Sequence, residues 1–124
     1  MKKVLIIDDE KDLQEIYGFC FDSLLFDEIQ YAGDGVDAYI KCMNQKFDLI
    51  TLDYQMPYMD GMQFLAAIRG KENINQHTPI LMISAYIPQI KEAAKDFENT
   101  YFFDKPIDSE SLKKSVQMIL NKST

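Results

Sequence analysis

The sequence predicts an α/β protein in which a parallel five-stranded sheet is doubly wound, with helices on both faces. Three observations carry this. Short apolar runs alternate five times with stretches that repeat apolar residues at helical spacing, and the connections between them are short. The runs are also continuously apolar rather than alternating, as strands buried on both faces must be. A chain of 124 residues can bury such a core without metal or disulfide staples, and 1–124 reads as one domain.

The elements follow in order. Lys3 to Ile7 is the first strand, closed by Asp8, Asp9 and Glu10. From Asp12 onward Leu13, Ile16, Tyr17, Cys20 and Leu24 recur at helical spacing, with Glu15 and Asp22 between them, which predicts an amphipathic first helix. Glu28 to Ala32 is a weaker strand. After Gly33, Asp34 is set to cap a second helix whose predicted buried face is Val36, Tyr39, Ile40 and Met43. Phe47 to Asp53 is the central strand, an apolar run ending in a carboxylate, followed by turns at Met56-Pro57 and Asp60-Gly61. Met62, Leu65 and Ile68 begin a third helix that should fray near Gly70. Asn73 to Thr78 is a polar loop with an exposed His77, and Pro79 to Ser84 is the fourth strand. Pro88 suits the first turn of a fourth helix reaching Phe97, whose apolar residues are only Ile90, Ala93, Ala94 and Phe97. Tyr101 to Asp104 is the fifth strand, and Asp108 caps a last helix that turns Leu112, Val116, Ile119 and Leu120 inward.

Composition narrows the function. A formal charge of -7 argues against nucleic acid, because phosphate backbones are bound by concentrated Lys and Arg, and it suits cations and protein partners better. No apolar run approaches the length that spans a bilayer, and Val4 to Ile7 is too short for a signal peptide, so a cytoplasmic chain without membrane contact is expected. Cys20 and Cys42 lie on different helices with no Cys-x-x-Cys, which predicts buried thiols.

Chemistry gathers at strand ends. In open α/β sheets ligands sit beyond the carboxyl ends of parallel strands. Asp8 and Asp9 end the first strand and Asp53 the third, and these two strands are expected to be neighbours. Clustered carboxylates repel unless a cation joins them, and Mg²⁺, which prefers a few carboxylates plus water and phosphate oxygens, suits the set. Ser84 adds a hydroxyl and Lys105 a mobile positive charge. These are parts for handling a phosphoryl group, with a carboxylate able to attack phosphorus in line. Taken singly, Asp8 and Asp9 read as helix caps, Ser84 as a turn residue and Lys105 as a surface charge. Jointly, complementary groups at the same ends of different strands argue for one site.

The motifs Val4-Leu5-Ile6-Ile7-Asp8-Asp9-Glu10, Asp53-Tyr54-Gln55-Met56-Pro57-Tyr58-Met59-Asp60-Gly61, Ser84-Ala85 and Lys105-Pro106 occur in an order and at spacings that make the whole chain resemble the receiver domain of bacterial two-component response regulators, the CheY-like superfamily. The resemblance implies a flavodoxin-like (βα)5 sandwich with strand order 2-1-3-4-5. It implies that Asp53 is the phosphoacceptor, loaded from a histidine kinase or a histidine phosphotransfer protein. Asp9 and Asp53 would ligate Mg²⁺, for which Mn²⁺ can substitute, with the main-chain carbonyl of Gln55 and with Asp8 acting through water. Ser84 and Lys105 would bind phosphoryl oxygens, and the Lys105–Pro106 peptide bond would be cis. Phosphorylation would draw Ser84 inward and reposition the switch aromatic Phe102, biasing the face built from the fourth helix, fifth strand and last helix. The only reaction implied is the domain's own phosphorylation and dephosphorylation.

Some positions depart from the family's usual pattern. Phe102 stands where Tyr is more frequent and has no hydroxyl to lock an inward position. Tyr86 and Gln55 occupy positions that influence how fast the phosphoryl group is lost. Glu98-Asn99-Thr100 replaces a frequent Gly-Ala and alters the loop before the fifth strand. Asp104 is expected to be an outward surface charge.

Two rivals belong to other classes. A Mg²⁺-dependent phosphohydrolase with Asp53 as transient nucleophile would commonly carry a second aspartate two residues later, where this chain has Gln55. A module that signals by binding alone would not need Asp8, Asp9, Asp53, Ser84 and Lys105 together. Downstream, a protein target or an output domain missing from the chain would read the signal, and a stand-alone regulator is modestly favoured.

Overall fold

The computed structural model describes residues 2–21, 26–85 and 87–122. Its elements alternate as expected: β1 (Lys3–Ile7), α1 (Lys11–Phe21), β2 (Glu28–Ala32), α2 (Gly35–Asn44), β3 (Leu49–Asp53), α3 (Gly61–Gly70), β4 (Ile80–Ser84), α4 (Ile87–Ala94), β5 (Thr100–Asp104) and α5 (Ser109–Lys122). The strands form one parallel sheet in the order β2-β1-β3-β4-β5. Every residue of β3 and β4 is buried, whereas the edge strand β5 is only partly covered. Burial on both faces is why the inner strands read as unbroken apolar runs.

Side chains alternate across the sheet and build two cores. On one face Leu5, Ile7, Ile50, Leu52, Ile80 and Met82 pack against α2, α3 and α4. On the other, Val4, Ile6, Leu49, Leu81 and Ile83 pack against α1 and α5 through Tyr17, Cys20, Phe21, Leu112, Val116, Ile119 and Leu120. Both cysteines are buried free thiols, as expected, and burial pushes the Cys42 thiol up to about 12.

Three expectations are corrected. The buried face of α2 is Gly35, Ala38 and Cys42, while Val36 and Ile40 are 47% and 54% exposed and Tyr39 and Met43 flank the core. The physical reason lies at the helix start, where a Cβ on Gly35 would lie 2.6 Å from the Met59 Cβ. Small residues let α2 sit close to the loop and sheet, and the bulkier ones turn sideways. In α1, Ile16 is likewise exposed, and the predicted Asp22 and Leu24 lie outside the described residues. The fourth helix stops at Ala94, so Phe97 packs on the core from the following turn and Ala93 faces solvent.

Caps and clips fix the remaining joints. Asp34 caps α2 by accepting from the Asp37 amide at 2.8 Å, and Asp60 and Gln63 form a reciprocal capping box on α3. Asp108 accepts from Ser111 Oγ at 2.6 Å at the start of α5. Arg69, near the end of α3, donates to the carbonyls of Gln76, Thr78, Glu98 and Asn99, tying the segments that lead into β4 and β5. Asn99 takes φ 52, a left-handed conformation that asparagine tolerates, which shapes the loop before β5. His77 and Asp104 are exposed, as predicted.

Candidate functional site

The site lies at the carboxyl edge of the sheet. Asp53 is the last residue of β3 and Ser84 the last of β4, while Asp8 and Lys105 immediately follow β1 and β5. Because β1 pairs directly with β3, one carboxylate oxygen from each of Asp8, Asp9 and Asp53 lies within 4.8 Å of the others. From two strands away, Lys105 Nζ reaches Asp53 Oδ1 at 3.3 Å. The Lys105 amide donates to the Ser84 carbonyl at 3.1 Å, and the Lys105–Pro106 peptide is cis.

Burial sets the electrostatics. Asp8 is wholly buried, and desolvation lifts its carboxyl from 3.8 to about 6 despite a hydrogen bond from the Glu10 amide to Oδ1 at 2.9 Å. Asp53 is also raised, chiefly by burial, with Lys105 pulling in the opposite direction. Asp9 is exposed, at the solvent side of the cluster. Asp8 Oδ2 is buried with no hydrogen-bond partner among the described residues. A set of oxygen-only ligands, two of them desolvated and one with an orphaned acceptor, fits a hard divalent cation that keeps part of its water shell.

The loop after β3 forms the rim. The Gly61 amide closes it on the Tyr54 carbonyl at 2.8 Å, and Tyr58 adopts φ 69. A Cβ at Gly61 would lie 3.0 Å from the Tyr54 Cα, so the Asp60-Gly61 turn needs glycine for close approach. Gln55 is exposed in this loop. Phe102, on β5, is half-buried against the α2–α4 core, and Lys91 Nζ stands 5.9 Å from its ring centroid. Tyr86 lies outside the described residues.

The structure thus brings Asp8, Asp9, Asp53 and Lys105 together, and it places Ser84 on the adjoining strand end. One supporting residue was missed. Gln14 Nε2 donates to the Asp8 carbonyl at 2.8 Å, anchoring the turn that carries two of the carboxylates. Nothing in the local sequence marks a helical glutamine for that role.

Carboxylates clustered at a parallel-strand edge, with a lysine reaching the one that ends the central strand, define a class of doubly wound domains equipped to handle a phosphoryl group. The chain belongs to the response regulator receiver domain family, whose sequence profile matches residues 4–117. It is similar to the chemotaxis protein CheY-3 of Vibrio cholerae, with 34% identity over 97% of this chain and 92% of the relative. It is also similar to the chemotaxis protein CheY of Pseudomonas aeruginosa, with 33% identity over 97% of each chain. Among solved structures, the chemotaxis response regulator CheY4 of Vibrio cholerae superposes with a TM-score of 0.86 at 32% identity, covering 96% of this chain and 98% of that one. Receiver domains of this kind act as phosphoacceptors in two-component signalling and typically bind Mg²⁺ at an acidic pocket. Membership does not favour the phosphohydrolase or the binding-only module. Among the described residues no helix is long and apolar enough to cross a membrane.

Proposed function

We propose that residues 1–124 act as one receiver domain in which Asp53 accepts the phosphoryl group from a histidine kinase or a histidine phosphotransfer protein. An Oδ of Asp53 attacks phosphorus in line, the P–N bond of the phosphohistidine breaks, and the imidazole leaves with the bonding pair and takes up a proton. The observation that carries this reading is the 3.3 Å approach of Lys105 Nζ to Asp53 Oδ1 at one corner of the carboxylate cluster. Asp9, Asp53 and the Gln55 carbonyl would ligate Mg²⁺, with Asp8 acting through water. When bound, the ion neutralises the clustered carboxylates and the incoming phosphoryl oxygens. Lys105 then exchanges its pairing with Asp53 for a phosphoryl oxygen, and the Ser84 hydroxyl donates to another.

Ser84 and Phe102 form the switch. Movement of Ser84 toward the phosphoryl group would free Phe102 to change its packing and alter the α4–β5–α5 face, which a downstream protein reads in the cytoplasm. Hydrolysis of the acyl phosphate by the same site resets it. With a small phosphodonor and Mg²⁺, intact mass should show one phosphoryl group per wild-type chain and none on Asp53→Asn. Equal labelling of the two, or repeated turnover of a phosphate ester, overturns the reading.

A further inference from the structure

Three buried side-chain oxygens have no hydrogen-bond partner among the described residues: Asp8 Oδ2, the Tyr17 hydroxyl and Thr51 Oγ1. All three residues are essentially sealed from solvent, at 0%, 2% and 1% exposure. An orphaned buried polar atom is costly, and each one calls for an explanation.

Their placement supplies one. Thr51 pairs with Ile6 on one side and Leu81 on the other, and both of these belong to the core that α1 and α5 cover. Strand alternation puts Thr51 on the same face as Asp53, about 7 Å nearer the strand start. Alternation likewise continues the face of Ile6 to Asp8. Tyr17 descends from α1 into this same core, stacked on Phe21. Burial raises the Tyr17 phenol above its ordinary value, and the charges of Asp8 and then Asp53 act in the same direction, so the phenol stays a donor. This face of the sheet therefore carries two hydroxyl donors and one carboxylate acceptor whose second oxygen is already held by the Glu10 amide. Since no direct bond joins them, water is the ligand whose chemistry fits: it both donates and accepts, and a polar recess with two to four partners retains it.

We propose that Tyr17 and Thr51 are positioning residues for Asp8: through water sealed under the sheet edge, their hydroxyls donate to Asp8 Oδ2 and hold its carboxylate in the orientation the cation site uses. The inference rests on the reading of Asp8 as a member of that site. Outer partners of this kind fix the direction of a carboxylate that serves a metal and so tune its affinity.

Tyr17→Phe and Thr51→Val remove the hydroxyls and keep the packed shape. In the full chain, each should weaken Mg²⁺ binding, read by titration, by up to about 10-fold. The double variant should lose less than the two single losses combined, because both hydroxyls act on the same carboxylate oxygen. A high-resolution structure of the metal-free wild type should show water bonded to both hydroxyls. Unchanged Mg²⁺ affinity in both single variants overturns the proposal, as does a dry recess. If wild type binds no Mg²⁺ at all, the reading of the cation site fails instead, and the water density still decides whether the recess is a built polar network.

Discussion

Replacing Asp8 with Asn should stabilise the metal-free protein while removing its function. Asp8 is wholly buried, and its carboxyl titrates at about 6 against an ordinary 3.8, a difference of about 2 units caused first by desolvation. At about 1.4 kcal/mol per unit, keeping Asp8 ionised in the folded metal-free chain costs about 3 kcal/mol at neutral pH. The sign follows from proton binding. Between the two values the folded chain holds a proton that the unfolded chain has lost, so this group's penalty is absent below about pH 4 and complete above about pH 6. Asparagine has the same shape and no charge to desolvate. In chelator at about pH 7.5 the variant should therefore gain up to about 3 kcal/mol, or about 10 °C in melting temperature for a chain of this size. Urea unfolding across that pH range measures it, and the gap between variant and wild type should close as pH falls toward 4. Added Mg²⁺ should narrow that gap, since a cation beside the ionised Asp8 offsets its charge in wild type and stabilises that chain more than the variant. A variant no more stable than wild type in chelator, or a gap that persists unchanged in acid, refutes the reasoning.

Two further perturbations probe other links. Lys105→Met removes the cation that holds Asp53 down, so the Asp53 carboxyl should titrate higher still in carboxylate NMR, and phosphoryl transfer should slow. Arg69→Met strips donors from four carbonyls at the opposite edge of the sheet and should lower stability by roughly 2–4 kcal/mol in urea unfolding, with Asp53 still accepting phosphate.

What the sequence reveals here is what is local. β3 and β4 are buried on both faces, so their apolar runs announce themselves, and a carboxylate ending β3 interrupts the pattern at the residue where the site begins. Strand ends on the same edge then account for Asp8, Asp53, Ser84 and Lys105 without tertiary information. The orientation of α2 was not legible, because apolar residues cover so much of its circumference that its face is decided by how closely Gly35 and Ala38 can approach their neighbours. Gln14, Arg69 and the hydroxyls of Tyr17 and Thr51 were hidden for a related reason. Their partners are carbonyls and buried oxygens that only the register of distant segments brings near. Phe97 misled because an apolar residue at helical spacing packs equally well from the turn beyond a helix.

The distribution of burial explains where a signal can leave the site. β1 and β3, which carry all three carboxylates or lead directly into them, are packed into the cores on both sheet faces, and Asp8 is further pinned by the Glu10 amide and by Gln14. A close-packed strand of this kind cannot yield to a new charge without opening cavities. The opposite side of the site is looser: β5 is partly exposed along its length, α4 has only 8 residues, and Phe102 is half-buried under the Lys91 side chain. A charge added at Asp53 therefore meets a rigid wall toward β1 and a yielding one toward β5, so the direction of any rearrangement is set by packing before a partner takes part.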